Sequence, residues 1–369
     1  MKSINLLIVL IVLSVGSVNA KRNPDTAIFQ PRNIKKAMNK AAEWQLQNPK
    51  HALYDWTNGA FYAGIYAGWE TTGSKTMYKA MLEMGEKNNW KPGPRLHHAD
   101  DHVICQTYLD LFRNTGDRRM IQPFIETMEK FRDTPYTAKD IEKITWWWCD
   151  ALFMAPPALV KLGNILEDPS WFALNDRLFE ECYELLYDRD EHLYARDIRY
   201  KWNEPGIETI REANGNKIFW SRGNGWVLAG LARVLQELPA DYHKRSFYLQ
   251  NFREMAARVA GLQQPDGLWR ASLLDPESYP GGEASGSGFY CYALAWGINQ
   301  GILDRDTYLP VVRKAWIGLN SLIQPDGRMG WVQPIGADPR KNFGADSWEV
   351  YGTGAFLLAG SEVIKLPRK

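Results

Sequence analysis

Apolar residues along the chain form two kinds of helical segment that alternate. Six segments are apolar nearly all round, rich in small residues, and begin with a polar or glycine-rich turn: residues 55–68, 98–112, 147–162, 221–235, 285–298 and 348–360. Between them lie amphipathic segments that begin with Asn, Ser or Asp, which cap helices well: residues 33–47, 74–88, 117–131, 170–187, 241–263 and 306–324. A helix without a polar face is buried inside a larger body. The alternation predicts inner helices surrounded by outer helices, an all-α (α/α)6 barrel.

One stretch breaks this spacing. Residues 193–219 contain the run Leu-Tyr-Ala-Arg-Asp-Ile-Arg-Tyr, which alternates like a strand. A small β-hairpin or a long loop is therefore predicted there, and long insertions in compact domains are often functional. In a barrel of this kind the inner helices begin at one open end. The polar residues at their starts are predicted to face one another across a bowl.

The first twenty residues have the pattern of a secretory signal. Lys2 precedes a short apolar run at residues 6–13, and Val18-Asn19-Ala20 resembles a cleavage site. The run is too short for an ordinary membrane span, although an uncleaved anchor is the alternative. We expect a single catalytic domain over residues 21–369, exported to the periplasm or secreted, with no membrane span after cleavage.

Composition narrows the class of protein. The 44 Lys and Arg residues balance 43 Asp and Glu residues, so binding to nucleic acid through bulk positive charge is not expected. The 16 Trp residues fit either a large core or a groove that stacks sugar rings. Four cysteines lie in apolar helical patterns without CxxC spacing, which predicts buried thiols rather than a zinc site or disulfides: Cys105, Cys149, Cys182 and Cys291.

Carboxylates stand at two of the predicted inner helices. Asp150 lies alone in the apolar, tryptophan-rich run at residues 146–157, where it is predicted inside the helix. Burial favours the neutral form and raises the pKa, which suits a general acid. The alternative is a buried Asp bonded to a backbone or indole N–H. Asp100 and Asp101 open another inner helix, whose N-terminus favours an anion, although either can serve simply as the helix cap.

Two histidines flank Asp100 and Asp101. His98 and His102 lie one helical turn apart and can in principle share a metal with an Asp. Because no further ligand motif accompanies them, neither a metal nor another cofactor is predicted.

Two more polar segments begin predicted inner helices. Arg222 lies between Trp220 and Trp226, where it can hold a carboxylate while sugar rings stack on the indoles. A helix cap with core tryptophans is the alternative. Glu283 and Ser285 follow a pair of glycines and can hydrogen-bond a ligand, or they can form an ordinary helix N-terminus.

Together these motifs resemble the unsaturated rhamnogalacturonyl and glucuronyl hydrolases of glycoside hydrolase families 105 and 88. The resemblance covers nearly all of residues 21–369 and is carried by four pieces: Trp147-Trp148-Cys149-Asp150 with Met154, Trp220-x-Arg222-Gly223-x-Gly225-Trp226, Glu283-x-Ser285-Gly286, and Tyr351-Gly-Thr-Gly-Ala-Phe-Leu-Leu-Ala359. It implies an (α/α)6 barrel that removes a terminal 4,5-unsaturated uronic acid from lyase-generated oligosaccharides by hydrating the C4–C5 double bond.

The resemblance also implies roles for residues. Asp150 would protonate C4 and then activate the water that adds at C5. Asp101 matches the second carboxylate, with Asp100 as the alternative because the register is ambiguous there. Arg222 matches the residue that helps to hold the uronate. The wider set of expected substrate contacts is His98, Asp100, Trp147, Arg196, Trp220, Arg222, Trp226, Glu283 and Ser285.

The chain departs from the family pattern at one point. Relatives often carry a His in a Tyr-His-x-x-Asp segment, where this chain has Tyr194-Ala195-Arg196-Asp197. Arg196 is therefore expected to face an anionic group, while the neighbouring sugar and the source polysaccharide stay open. The main alternative is another (α/α)6 enzyme, either a polysaccharide lyase or an inverting glycosidase. A non-catalytic carbohydrate-binding protein is a further alternative.

Overall fold

The computed structural model describes residues 27–366, which are mostly helical. The segment predicted as a secretory signal lies outside the described residues. The helices and the one pair of strands in the described part are, in chain order, α1 Pro31–Gln47, α2 Trp56–Thr72, α3 Lys75–Lys87, α4 Cys105–Thr115, α5 Gln122–Asp133, α6 Ala151–Met154, α7 Pro156–Leu166, α8 Ser170–Leu186, β1 Tyr187–Asp188, β2 Leu193–Tyr194, α9 Ser221–Glu237, α10 Arg245–Ala260, α11 Ala284–Asn299, α12 Arg305–Ser321 and α13 Val350–Val363.

Among these elements, six helices form a closed inner ring. Helix α2 packs on α4, α4 on α7, α7 on α9, α9 on α11, α11 on α13, and α13 on α2 again. Helix α13 is buried at every position, as its sequence, apolar nearly all round, predicts. The amphipathic helices α1, α3, α5, α8, α10 and α12 surround the ring, each with exposed polar positions. The predicted (α/α)6 barrel is confirmed.

Small residues allow the inner helices to approach closely. A Cβ atom at Gly64 of α2 would lie 2.3 Å from the carbonyl oxygen of Gly354 in α13. A Cβ at Gly230 of α9 would lie 2.2 Å from the carbonyl oxygen of Leu152 in α6. Because no side chain fits in either gap, glycine is required at these crossings.

The third inner helix is broken into α6 and α7. Pro156 and Pro157 cannot donate the backbone hydrogen bonds that would continue α6. Gln106 of α4 compensates, since its Nε2 donates to the carbonyl oxygens of Phe153 at 2.7 Å and Met154 at 3.1 Å. The carbonyl groups that lose their helical donors at the break are therefore still hydrogen-bonded.

The predicted hairpin exists but begins earlier than expected. Strand β1 pairs antiparallel with β2, with Tyr187 opposite Tyr194, directly after α8. A short 3-10 turn at Ile198–Tyr200 follows, and residues 201–219 then run as an irregular loop towards α9. The insertion therefore combines both predicted forms, a small hairpin and a long loop.

The two ends of the barrel differ in their connections. Segments entering the inner helices are long, for example residues 88–104, 134–150, 187–220 and 322–349, whereas those leaving them are short, such as residues 73–74 and 167–169. The long connections place the chemistry-bearing residues at the end where the inner helices begin.

The four cysteines are all free and buried, as predicted. No helix within residues 27–366 has the length and apolar character needed to cross a membrane.

Candidate active site

Asp150 lies at the open end, on the residue before α6, rather than inside the helix as the sequence suggested. Its residue surface is 8% exposed. Burial raises the pKa of its carboxyl group above the ordinary value, and the positive charges of Arg196 and Arg222 oppose part of that rise. A carboxyl group in this setting retains its proton at higher pH than a solvated one.

Arg196 reaches this carboxyl group from the hairpin insertion. Its Nε lies 3.5 Å from Oδ2 of Asp150, and no hydrogen-bond partner satisfies that buried nitrogen. Its Nη1 donates to Asp197 at 2.7 Å, and its guanidinium lies 5.4 Å from the ring centroid of Trp147. The backbone N–H of Cys149 donates to the carbonyl oxygen of Arg196 at 2.8 Å. The insertion is thereby fixed to the start of α6.

Asp100 faces the same region from the 3-10 turn Ala99–Asp101, which precedes α4. Burial and the negative charge of Asp150 raise the pKa of Asp100 from 3.8 to about 7. Nδ1 of His98 lies 3.6 Å from Oδ2 of Asp100, while the His98 ring packs 4.5 Å from that of Trp148. Burial lowers the pKa of His98 to about 4, so this imidazole is neutral at pH 7. Two carboxyl groups that repel each other in this way do not ionise together readily.

Asp101 has a different environment from its neighbour. Its carboxylate accepts hydrogen bonds from the backbone N–H of Arg95 at 2.5 Å and from Nη2 of the same residue at 2.6 Å. A Cβ at Gly93 would lie 2.5 Å from Cγ of Asp101, so the backbone closes over this carboxylate. The structure therefore brings Asp100, the alternative in the sequence prediction, towards Asp150, whereas Asp101 holds the loop before α4.

Arg222 is fully buried and already has partners. Its guanidinium lies between the rings of Trp220 and Tyr351, at 4.5 and 4.8 Å from their centroids. Nη1 and Nη2 donate to the carbonyl oxygens of Gln333 at 2.6 Å and Pro334 at 2.9 Å. In this arrangement Arg222 fixes the loop before α13 and contributes positive charge to the field at the acid.

Glu283 and Ser285 form a buried helix start. The Glu283 carboxylate accepts from the backbone N–H groups of Ser285 and Gly286, from the Ser285 hydroxyl at 2.6 Å, and from the Gln333 N–H at 3.1 Å. Trp226 is also fully buried, with its ring 4.2 Å from that of Phe289. The structure thus gives these predicted substrate contacts the supporting role that was the sequence alternative.

The tryptophans divide between core and surface. Trp146 and Trp226 are inaccessible, whereas Trp56, Trp147 and Trp348 remain partly exposed near the open end. Trp56 stacks on Tyr351 with 5.3 Å between centroids and 17° between planes. Sequence reasoning had not selected Tyr351 as a site residue, although it begins the apolar closing motif.

The two histidines of the possible metal motif point into different surroundings. Nε2 of His102 lies 2.9 Å from the carbonyl oxygen of Leu96, and the ring packs on Phe124 and Phe131. His98 instead lies against Trp148. Within residues 27–366 no three His, Cys, Asp or Glu side chains are grouped as a metal site requires.

Comparison with known families identifies the class. The family model described as Glycosyl Hydrolase Family 88 matches residues 31–367. The chain belongs to this glycosyl hydrolase family. A curated relative from Formosa agariphila, named unsaturated 3S-rhamnoglycuronyl hydrolase, is 45% identical over 380 residues, covering 99% of this chain and 100% of the relative.

Solved structures agree with the fold of this family 88 protein. A family 88 glycosyl hydrolase from Bacteroides vulgatus superposes with a TM-score of 0.83 at 32% identity, covering 91% of this chain and 100% of that one. A second structure, named a polysaccharide lyase, superposes with a TM-score of 0.82 at 35% identity, covering 90% and 97%. The predicted fold, family and enzyme class, a glycoside hydrolase, are confirmed.

Proposed function

We propose that this glycoside hydrolase removes a terminal 4,5-unsaturated uronic acid from oligosaccharides that a polysaccharide lyase has released. The observation that carries the proposal is the buried carboxyl group of Asp150, which lies beside Arg196 and repels Asp100. A carboxyl group whose pKa is raised by burial keeps its proton to higher pH and can donate it, and the arginine matches the carboxylate of a uronic acid.

The reaction needs a single proton donor that later accepts a proton. Protonated Asp150 gives its proton to C4, the electrons of the double bond form the new C–H bond, and positive charge develops at C5 beside the ring oxygen. The ionised carboxylate then takes a proton from water as the water oxygen bonds to C5. The hemiketal formed at C5 opens to a ketone, and C1 becomes a hemiacetal that releases the neighbouring sugar.

Asp100 is our choice for the second carboxylate, in preference to Asp101. Its repulsion of Asp150 favours one retained proton between the two groups, while Asp101 is held by Arg95. Arg196 is placed to pair with the uronate and to stabilise the ionised acid after proton transfer. Asp197 is fully buried, and its contacts with Arg196 and Arg199 fix the guanidinium.

The neighbouring sugar is proposed to be a 3-sulfated rhamnose. This follows from the name of the F. agariphila relative, whose similarity extends over nearly the whole chain. We further propose that the protein is exported, because residues 1–20 have the pattern of a signal segment.

A polysaccharide lyase is the second candidate, because one structure at 35% identity carries that name. Ultraviolet absorbance separates the two reactions, since a lyase creates a conjugated alkene and hydration destroys it. We expect absorbance to fall when the enzyme acts on a lyase digest of a sulfated, rhamnose-containing polymer, and to fall more slowly after desulfation. A rise on intact polymer, with no fall on the digest, would establish the lyase instead.

A further inference from the structure

A cleft separate from the candidate active site opens at the same end of the barrel as Asp100 and Asp150. It has a volume of about 370 Å³ and lies between the loop at residues 134–145, the end of α5 and the outer helix α8. The residues that give it its character are His97, Arg132, Lys143, Thr145, Arg177 and Glu181. None of them belongs to the site described above.

The cleft carries an excess of positive charge. Its lining includes three cations, Arg132, Lys143 and Arg177, and one carboxylate, Glu181, while the chain as a whole is nearly neutral. The side chains of the three cations are 43%, 46% and 60% exposed, so they are accessible to a ligand. Positive charge in this cleft is therefore a local feature of the open end.

The partners of these cations leave donors available. Arg177 pairs with Glu181 through one nitrogen at 3.1 Å, and Lys143 pairs with Glu204 at 2.7 Å. The contact of Arg132 with the exposed Asp133 is long, at 3.9 Å, and its guanidinium lies 4.9 Å from the Trp171 ring centroid. A guanidinium over an indole ring keeps N–H groups free to bind an incoming anion.

The cleft is close to the reacting groups. His97 is three positions before Asp100 in the chain, and Thr145 is five positions before Asp150. At about 3.6 Å per residue for a fully extended chain, these Cα atoms are no more than about 11 Å and about 18 Å apart. The partly exposed Trp147 lies on the segment that joins the two regions. These separations are within the length of an oligosaccharide of a few rings.

We propose that this basic cleft binds an anionic sugar unit of the substrate that lies beyond the bond to be broken. The shared chemistry of the ligand is a sulfate ester or a uronate carboxylate, both of which a guanidinium binds through paired hydrogen bonds. The inference rests on the proposed function and deepens it: the enzyme prefers longer charged oligosaccharides to disaccharides.

The test compares a sulfated unsaturated tetrasaccharide with the matching disaccharide. For Arg132→Gln and Lys143→Gln, we expect the ratio of tetrasaccharide to disaccharide kcat/KM to fall about tenfold, mainly through KM. Lys36→Gln is the matched control, because this exposed lysine of α1 lies outside the cleft, and it should leave the ratio unchanged. A desulfated tetrasaccharide distinguishes the two possible ligand groups. If its kcat/KM still depends on Arg132, the cleft binds the uronate carboxylate; if the dependence is lost, the cleft binds the sulfate ester.

Direct binding separates this inference from the proposed function. Calorimetric titration of Asp150→Asn with the tetrasaccharide and disaccharide gives both dissociation constants without turnover. If the wild-type protein turns over neither sugar but Arg132→Gln still weakens tetrasaccharide binding selectively, the cleft stands and the proposed reaction fails. If Arg132→Gln and Lys143→Gln weaken the binding of both sugars equally, or weaken the binding of neither, the cleft is not a binding site.

Discussion

Buried carboxylates lie at both ends of the inner ring, and their partners distinguish the ends. Where the inner helices begin, Asp100 and Asp150 repel each other, and burial with that repulsion raises the pKa of Asp100 to about 7. Where they end, Glu237 is also buried, but its contacts with Arg113 and Lys161 outweigh burial and lower its pKa to about 2. Similar burial therefore gives opposite protonation behaviour.

The far end contains a charged chamber. A cavity of about 660 Å³ lies where the inner helices finish, and most of the acids and bases that line it pair with one another. Lys161 contacts both Asp110 and Glu237, and Arg233 donates from Nε to Gln106 at 2.8 Å. Cations also complement the negative ends of the helix dipoles there. We interpret this end as structural, in contrast to the open end, where Asp100 and Asp150 lie close enough to repel each other.

The largest expected effect comes from removing the acid at the open end. Asp150→Asn cannot donate or regain the proton, so we expect kcat on an unsaturated oligosaccharide to fall roughly 10²- to 10⁴-fold. The loss of alkene absorbance measures the rate, and thermal unfolding should show an intact fold. Asp306→Asn, an exposed position on α12, serves as the control. Full activity in Asp150→Asn would refute the mechanism.

A matched change at the far end should act on stability instead. Lys161→Met leaves Asp110 buried with Arg233 as a distant partner at 3.9 Å, so the free energy of unfolding should drop by roughly 3 kcal/mol. Urea unfolding measures the change. Lys79→Met breaks the exposed pair with Glu83 and should cost less than about 0.5 kcal/mol. A large loss of kcat in folded Lys161→Met would contradict the division between the ends.

The fold was predictable because burial leaves a periodic record in sequence. A helix buried on all sides, such as α13, cannot hold polar residues without partners, so its apolar composition revealed the inner ring. The hairpin was harder to position, because Tyr187 and Asp188 continue the outer-helix pattern until the chain turns. A two-residue strand has too little periodicity to set its own boundary.

The site was less predictable than the fold, because the sequence does not show in which direction a side chain points. Asp100 and Asp101 are adjacent in one 3-10 turn, and only the position of Arg95 shows which carboxylate is engaged. Arg222 and Glu283 look like ligand groups in sequence, yet both are engaged by the backbone of Gln333: Arg222 donates to its carbonyl oxygen, and Glu283 accepts from its N–H. Gln333 lies in the loop before α13, which no local motif indicates.

Asp100 at the open end and Glu237 at the far end should respond to pH with opposite signs. Asp100 has a raised pKa, so its ionisation burdens the folded state as pH rises from about 4 to about 7. Asp100→Asn should gain roughly 4 kcal/mol relative to wild type between pH 4 and pH 8, from a pKa raised from 3.8 to about 7. Glu237 has a lowered pKa, so its contribution is present above pH 4.5 and is lost towards pH 2.

Glu237→Gln should therefore lose stability relative to wild type at pH 7, with the difference shrinking as pH falls below 4.5. Urea midpoints measured across this range for both variants provide the comparison. Differences that are independent of pH in both would show that neither carboxyl group has the environment described.

The smallest effect should be a displacement of the pH profile. Arg196 favours the ionised form of Asp150, so Arg196→Gln should raise the pKa of the acid and move the basic limb of kcat/KM upward by about half a unit to one unit. KM should rise as well, since the uronate loses a cation, and Arg196→Lys should restore part of both. Arg199 also contacts Asp197 but does not reach Asp150, so Arg199→Gln should leave the basic limb of kcat/KM at the wild-type pH. If Arg196→Gln raises KM without moving the limb, the arginine binds substrate but leaves the acid unaffected.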